Sequence, residues 1–430
     1  MKTYKHLFEQ SLDTYTILQS TLEAAQHKLQ RGEVMNALLF FDRTHDIVTA
    51  AAKDPDYKPC EDNTHQIIDG ANHKKREIEK PMFCPEQILH HMIIEPFARV
   101  LLDGLYEQVY GCLPPTIMRD KNGKAVVNSM GHAVVRKYGP VAASKQLRKW
   151  VQTGKKTYCA ELDIHHAYAS VHIPTLAKQM QRVIRDERWL ALTFKFLHYT
   201  PGDPECDELC GLILGHYTSP WFFNFYLKDF DHFAASLDGV KYLRYADNFF
   251  LVGTNKRKVH KAVEAIREYL RRELRLELNG SRQVYRFEYP VMKNGKVVET
   301  TTKSGEKKKK VRGRPMDALG HVIHYDRVTL RKSILKRMRG KAHRLRRKGG
   351  ANVTWHDAAS MLSRISWVRH TNIFTYYKTR VRPYINTHQL KRRLREHSRK
   401  KLHELTERRN LIYDRLEKSA RLAERKACGI

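Results

Sequence analysis

Apolar positions near the amino terminus recur close to the helical period. Leu7, Leu12, Tyr15, Leu18, Leu22, Ala25 and Leu29 form one run, and Met35, Leu38 and Leu39 a second. This spacing predicts two amphipathic helices over residues 1 to about 50. Lys53 to Lys80 is polar and loop-like and ends in the basic His73-Lys74-Lys75-Arg76. The helical period returns from Pro85 to Tyr110, with Ile88, Met92, Phe97, Val100 and Leu101 on the apolar side. Asp120 to Lys124 reads as a turn. The middle third follows a different pattern. Tyr158 to Ile164 is a short, mostly apolar run ending in an acid, as a buried strand that delivers a carboxylate would be. Ser219 to Phe233 is densely aromatic and of helical length, which predicts a buried helix. Val240 to Val252 is two β-rich runs on either side of Ala246-Asp247-Asn248, a hairpin with an acid at its tip. A charged helix is expected from Arg257 to Leu274, then a strand-like Leu276-Glu277-Leu278. Residues 291–314, with Asn294-Gly295 and the run Lys307 to Lys310, read as a basic hairpin insert. From Arg327 onward the pattern is basic and mostly helical, broken at Gly349-Gly350 and Pro383. No internal repeat is present.

Composition narrows the class. With 430 residues and 41% hydrophobic content the chain can fill one or two cores. Its 79 Lys+Arg against 46 Asp+Glu give a formal net charge of +33, far beyond what solubility requires. A polyanion, nucleic acid first, is the expected partner. A basic membrane-surface protein is the rival, but no run of about 18 apolar residues occurs and the first residues carry no apolar stretch like a signal peptide. A cytoplasmic protein with no membrane partner is therefore expected. The seven cysteines are scattered, odd in number and without CxxC spacing, which suits reduced thiols. Cys206 and Cys210 flank an acidic loop, and a lone pair of this kind is more often incidental than a metal site.

Asp163 and Asp247 are the candidates for chemistry. Nucleotidyl transfer needs carboxylates from neighbouring strands, because two Mg²⁺ ions about 4 Å apart must be bridged while they also touch a triphosphate and a primer oxygen. A strand-end Asp and a hairpin Asp, taken singly, read equally well as turn formers.

The residues around them carry a resemblance. Leu162-Asp163-Ile164 followed by Ala167-Tyr168-Ala169-Ser170-Val171 resembles the first palm motif of reverse transcriptases. Gly211 to Leu227, with Gly215, Thr218-Ser219 and Asn224, resembles their second motif, and Arg244-Tyr245-Ala246-Asp247-Asn248 their YxDD box. Leu276 to Asn279 looks like the next palm motif, and Arg314 to Gly320 like the primer grip. Leu330 to Ser333 and Ser366 to Phe374 look like the limits of the thumb in enzymes of diversity-generating retroelements and their unknown-group, defence-associated relatives. The resemblance spans roughly residues 70 to 380.

It implies an α+β right-hand polymerase. The expected parts are an N-terminal helical extension over 1–70, fingers over 71–160, a palm of antiparallel sheet plus helices over 161–325, a helical thumb over 326–390 and a basic helical tail over 391–430. It implies Mg²⁺, with Mn²⁺ as the alternative, held by Asp163, Asp247 and the Ile164 carbonyl. Tyr168 would be the ring that excludes a ribose 2′-OH, or else a core aromatic. Lys75 and Arg76 would clamp the triphosphate, or else form a solvated basic loop. Gly215, Thr218 and Ser219 would make a turn supporting template and incoming base, or else a helix start with a Ser N-cap. Arg282 falls where many relatives carry a Lys near the leaving pyrophosphate. The implied substrates are dNTPs and an RNA template, a structured noncoding RNA in the defence-associated reading, with a DNA product; a second copy or a protein partner is compatible.

Two departures stand out. Asn248 replaces the second Asp of the YxDD box; its carbonyl could join the metal shell but brings no charge. Pro220 stands where diversity-generating enzymes usually carry Gln, which weakens mutagenic retrohoming as the role and leaves copying of a noncoding RNA in antiphage defence as the first reading. A catalytically inactive RNA-binding scaffold derived from a polymerase is the rival from another class, with Asn248 its one support. Group II intron and retron enzymes are disfavoured, the first for want of paired Cys motifs downstream, the second for want of a VTG signature. In the thumb and tail, Trp367, Phe374, Tyr376 and Tyr377 lie among Lys-Arg clusters, and most read as bundle core. Lys391 to Lys426 has too many charges to be mainly core, and reads as a solvated helix or an RNA-binding arm.

Overall fold

A computed structural model of the chain describes residues 2–60, 63–68, 75–117, 124–127, 133, 135–136, 138–280, 284–294, 296–301 and 307–427. The chain divides into two compact units, one of residues 1–319 with 323–326, the other of 320–322 with 327–430.

The first unit is built on a four-stranded antiparallel sheet. Its strands lie in the order Val240–Tyr245, Asn248–Gly253, Tyr158–Asp163, Val284–Arg286. Tyr158–Asp163 is therefore interior, as its apolar run requires. Ala160 and Leu162 on one face join a large core with Val259, Val263, Ile266 and Leu270 of the Lys256–Leu274 helix and with Phe222, Phe223 and Phe230. Asn255 starts that helix by accepting from the Arg257 and Lys258 N–H groups. Leu276 to Leu278 is not a strand of this sheet. It runs beside the end of the central strand through a bridge between Leu278 and Ile164 and a 2.8 Å bond from the His165 N–H to the Glu277 carbonyl.

The first unit departs from expectation in three further places. Four helices, Leu7–Leu12, Thr14–Ala25, Gly32–Leu39 and Phe41–Lys53, stand where the spacing predicts two. Asp13 ends the first and caps the second by accepting from the Thr16 N–H at 3.2 Å, so a break occurs inside one apolar stripe. The polar segment before Pro85 holds an antiparallel hairpin of Asn63–Ile68 and Lys75–Lys80. Its strands alternate almost wholly polar residues, so no apolar alternation marks them. The aromatic segment forms two helices, Ser219–Tyr226 and Lys228–Ser236, that part at Leu227.

The basic insert forms three short ladders. Tyr289–Pro290 pairs with Val311–Arg312, Met292–Lys293 with Lys296–Val297, and Glu299–Thr301 with Lys307–Lys309. The turn expected at Asp120 to Lys124 lies outside the described residues except for Lys124, and so does Gly295 of the insert.

The second unit is a helical bundle. Its core of Leu330, Met338, Ala342, Leu345, Ala358, Met361, Val381 and Leu390 draws on the Lys332–Lys348, Trp355–Ser366 and Thr387–Ala427 helices, with Trp367, Tyr376 and Tyr377 packed against it. Phe374 is exposed. No helix among the described residues is long and apolar enough to cross a membrane.

Candidate active site

The central strand ends at Asp163, which lies opposite Asn248 in the ladder, and the neighbouring hairpin turns through Ala246-Asp247. Ala246 has φ +52°, the left-handed conformation that a two-residue hairpin turn demands. The Ile164 N–H donates to the Asp247 carbonyl at 3.2 Å, which ties the end of one strand to the tip of the hairpin. Register and turn together thus place both candidate acids at one edge of the sheet, half-buried rather than sealed.

Each carboxylate is oriented by a neutral amide. Asn248 Nδ2 donates to Asp247 Oδ1 at 2.8 Å, and Asn279 Nδ2 donates to Asp163 Oδ2 at 2.6 Å. The Asn279 N–H also donates to the Asp163 carbonyl at 2.8 Å. Asn248 therefore acts here through its donor end, holding Asp247. The pair offers hard oxygen donors with no competing cation supplied by either amide, a set that fits Mg²⁺ or Mn²⁺ better than softer metals. No group of three or more His, Cys, Asp or Glu residues with metal-holding geometry occurs among the described residues, at Cys206 and Cys210 included. Glu161, two residues before Asp163 on the same face, belongs to different chemistry. It accepts from the Tyr285 hydroxyl and from the Asp317 N–H, and burial pushes its pKa up.

The hairpin tip rests on a buried polar network. The fully buried Arg244 makes a two-bond pair with Asp231, at 2.8 Å from Nε and 2.7 Å from Nη2. Its Nη1 donates to Asn224 Oδ1 at 2.8 Å and to the Ala246 carbonyl at 3.2 Å. Asn224 donates in turn to the Gly111 carbonyl at 3.1 Å. Gly111 lies so close to the tip that a Cβ there would stand 2.3 Å from the Ala246 nitrogen. Every polar atom of the guanidinium fork faces a partner, the condition under which a buried charge is tolerated. Asn279, Asp231 and the role of Arg244 were not among the expected site residues. The available signal was a charge at an inward position of a β-rich run and an acid inside an aromatic helix.

Tyr168 sits in the turn after Asp163. Its ring stacks on Phe223 with centroids 4.9 Å apart, and its carbonyl accepts from the Leu212 N–H at 2.8 Å. Burial above all, then the nearby Cys112 and Asp247, drives its hydroxyl pKa far up, so it stays protonated. The Tyr168 hydroxyl is thus in the electrostatic reach of Asp247.

Gly215 has φ +116°, and a Cβ there would stand 2.0 Å from the Glu79 carbonyl. The Glu79 N–H donates to the Leu214 carbonyl at 2.8 Å, so this turn docks on the Lys75–Lys80 strand backbone to backbone. Thr218, not Ser219, occupies the helix cap position and makes no side-chain cap bond; its hydroxyl bonds His90 at 3.1 Å. Ser219 donates to the Ile213 carbonyl at 2.6 Å. Lys75 is exposed at the turn end of its hairpin, with Arg76 next to it in the strand. Asp163, Ile164, Asp247 and Asn248 are brought together, with Tyr168 beside them. Lys75 and Arg76 stay on the separate hairpin that the Gly215 turn supports. Arg282 lies outside the described residues.

Residues 112–299 match the family model of reverse transcriptase (RNA-dependent DNA polymerase). The chain carries a reverse transcriptase domain. It is an RNA-directed DNA polymerase, a nucleotidyltransferase that takes an RNA template and dNTPs and yields DNA. Such a domain has a polymerase palm and fingers, in keeping with the mixture here of helices and small antiparallel sheets. The match takes in the whole four-stranded sheet and both acids, and is narrower than the span of resembling motifs, since the primer-grip and thumb motifs lie beyond residue 299. Reverse transcriptases generally use divalent metal ions. No curated protein matches the chain.

Proposed function

We propose that Asp163 and Asp247, with the Ile164 carbonyl, hold two Mg²⁺ ions and that the enzyme copies a cognate structured noncoding RNA into cDNA in the service of antiphage defence. The convergence of the two half-buried carboxylates at one sheet edge, each aimed by an amide, carries the catalytic part of this reading. In the reaction the primer 3′-oxygen attacks the α-phosphorus of a dNTP, the bond to the β-phosphate oxygen breaks, and pyrophosphate leaves. Divalent cations held by Asp163, Asp247 and the Ile164 carbonyl would supply Lewis-acid stabilisation of the attacking and leaving oxygens. Tyr168, stacked on Phe223, would present its ring edge to the sugar and exclude a 2′-OH. Lys75 and Arg76 would meet the triphosphate from the fingers, Arg282 would lie near the pyrophosphate, and Gly215, Thr218 and Ser219 would support the templating base.

In this reading residues 1–70 are the N-terminal extension, 71–160 the fingers, 161–325 the palm, 326–390 the thumb and 391–430 an RNA-binding tail, in a cytoplasmic enzyme. Pro220, in place of the Gln of diversity-generating enzymes, favours defence over retrohoming. The test is expression with native flanking sequence, recovery of bound nucleic acid, and DNA synthesis with each dNTP and Mg²⁺ or Mn²⁺, with Asp247→Ala as control. An Asp247-dependent cDNA of a bound noncoding RNA supports the proposal. A cDNA of a repeat from a neighbouring variable gene moves the role to diversification.

A further inference from the structure

A second concave site lies away from the two acids, where the amino-terminal helices meet the Lys75–Lys80 strand. It is a cavity of about 270 Å³ whose lining includes Lys28, Arg31, Lys80, His91, Gly215 and Tyr217. Three cations share it. Lys28 is half-buried and donates to a neutral partner, Gln87 Oε1, at 2.6 Å. Burial lowers its pKa, and the charges of Arg31 and Lys80 push the same way. Arg31 has Glu33 at 3.7 Å, on the exposed side of the turn. His91 adds no charge at neutral pH, because burial holds its pKa near 4 against the pull of Glu23. Arg31 and Lys80 are exposed, so the cost falls on the half-buried Lys28, a cation beside two like charges, and a bound anion relieves it.

Part of the lining is aromatic. His91 and Tyr217 stack with centroids 3.6 Å apart and planes 13° from parallel. Burial raises the Tyr217 hydroxyl to about 12, so it remains a neutral donor. Cations beside flat rings, in a cavity near the lower size limit of small-ligand sites, suit a phosphate that carries a base. Gly215 connects this cavity to the turn proposed to support the templating base.

We propose that this cavity is a nucleotide subsite, which takes one phosphate and its base from the single-stranded template before that strand reaches the Gly215 turn. The proposal rests on the polymerase reading of the two acids, but its test reads binding rather than synthesis.

The experiment measures the affinity of the full chain for primer–template duplexes whose RNA template overhang grows one nucleotide at a time, over a range of salt. The wild type should gain affinity at the overhang length that first reaches the cavity. In Lys28→Ala/Lys80→Ala that gain should vanish, with a log–log salt slope lower by about 0.7 for each phosphate no longer neutralised. Lys28→Arg/Lys80→Arg should keep the gain, and a thermal melt confirms that each variant is folded. An overhang gain equal in wild type and the Ala variant overturns the proposal. So does a free mononucleotide that binds the wild type, but not the Ala variant, while overhang length has no effect, since the subsite would then serve a soluble effector. Failure of the polymerase reading shows itself separately, as DNA synthesis that survives Asp247→Ala.

Discussion

At the scale of single residues, the two acids differ from ordinary turn formers in what holds them. Asp163 and Asp247 each receive an amide hydrogen bond and sit half-buried where two strands end. Asp163→Ala or Asp247→Ala should reduce synthesis by at least about 10²-fold, the scale on which removal of one group that stabilises transition-state charge is felt. Melting temperatures should stay close to wild type, because both carboxylates are only half-buried; near-normal primer extension by either variant would remove that residue from the site. Asn248 permits a finer test. Its amide donates to Asp247 Oδ1, so Asn248→Asp exchanges a donor for a second charge beside the first. The concentration of Mg²⁺ needed for half-maximal synthesis should fall, and an unchanged metal titration would mean that position 248 does not face the cations. The meeting of Asp163 and Asp247 at one end of the sheet was legible because each stands inside a run of residues with a recognisable order. Asn279 was not marked out. Its role depends on a bond to a residue 116 positions away, and an Asn after a short apolar run says nothing of that.

At the scale of elements, the hairpin that carries Asp247 depends on groups that never touch substrate. Arg244 and Asp231 are both fully buried and bonded through two contacts. Asp231→Ala strands the guanidinium in the core and should cost about 3–5 kcal/mol of stability, read as a lowered denaturation midpoint; a midpoint equal to wild type would mean that water or Asn224 alone can satisfy Arg244. In sequence this pair is hidden, because an Arg in a strand and an Asp in a helix usually face solvent. The polar hairpin of Asn63–Ile68 and Lys75–Lys80 was illegible for the opposite reason. Its pairing is specified by backbone bonds and by the docking of Gly215 on Glu79, with little apolar alternation to announce it. In the second unit, Asp357 accepts from Lys341 and Lys348, both at 2.6 Å, and completes a capping box with Thr354. Its hydrogen bonds to Lys341 first, then Lys348, hold its pKa well below the usual carboxylate range. A folded-state pKa below the unfolded one contributes stability that is present above the unfolded value near 4 and lost as pH falls toward the folded one. Asp357→Asn should therefore destabilise the bundle at neutral pH and flatten its acid denaturation below about pH 4; parallel acid curves for variant and wild type would show that the ion pairs add nothing.

At the scale of the whole molecule, a net charge of +33 predicts a polyanion, and the reverse transcriptase domain supplies one in its template and product. Composition therefore gave the class of partner, motif order gave the polymerase, and the apolar period gave the longer helices. What stayed hidden were breaks inside apolar stripes, as at Asp13 and Leu227, because the period continues across a capping residue or a change of helix direction. The tail raises the remaining question of where that charge is used. Thr387–Ala427 is one helix, and part of its charge is met within it, with Arg392 and Arg393 beside Glu396. Exposed pairs of this kind contribute at most about 1 kcal/mol each and do not neutralise so basic a segment. If the excess serves RNA, each neutralised phosphate releases counterions, and affinity must fall with salt in proportion to the number of phosphates engaged. Replacing Lys and Arg clusters in residues 391–426 by Gln should weaken RNA binding and lower the log–log salt slope by about one unit for each duplex phosphate left without its cation. A slope that stays at the wild-type value would mean that the tail faces solvent or a protein surface, because neither releases counterions condensed on the RNA.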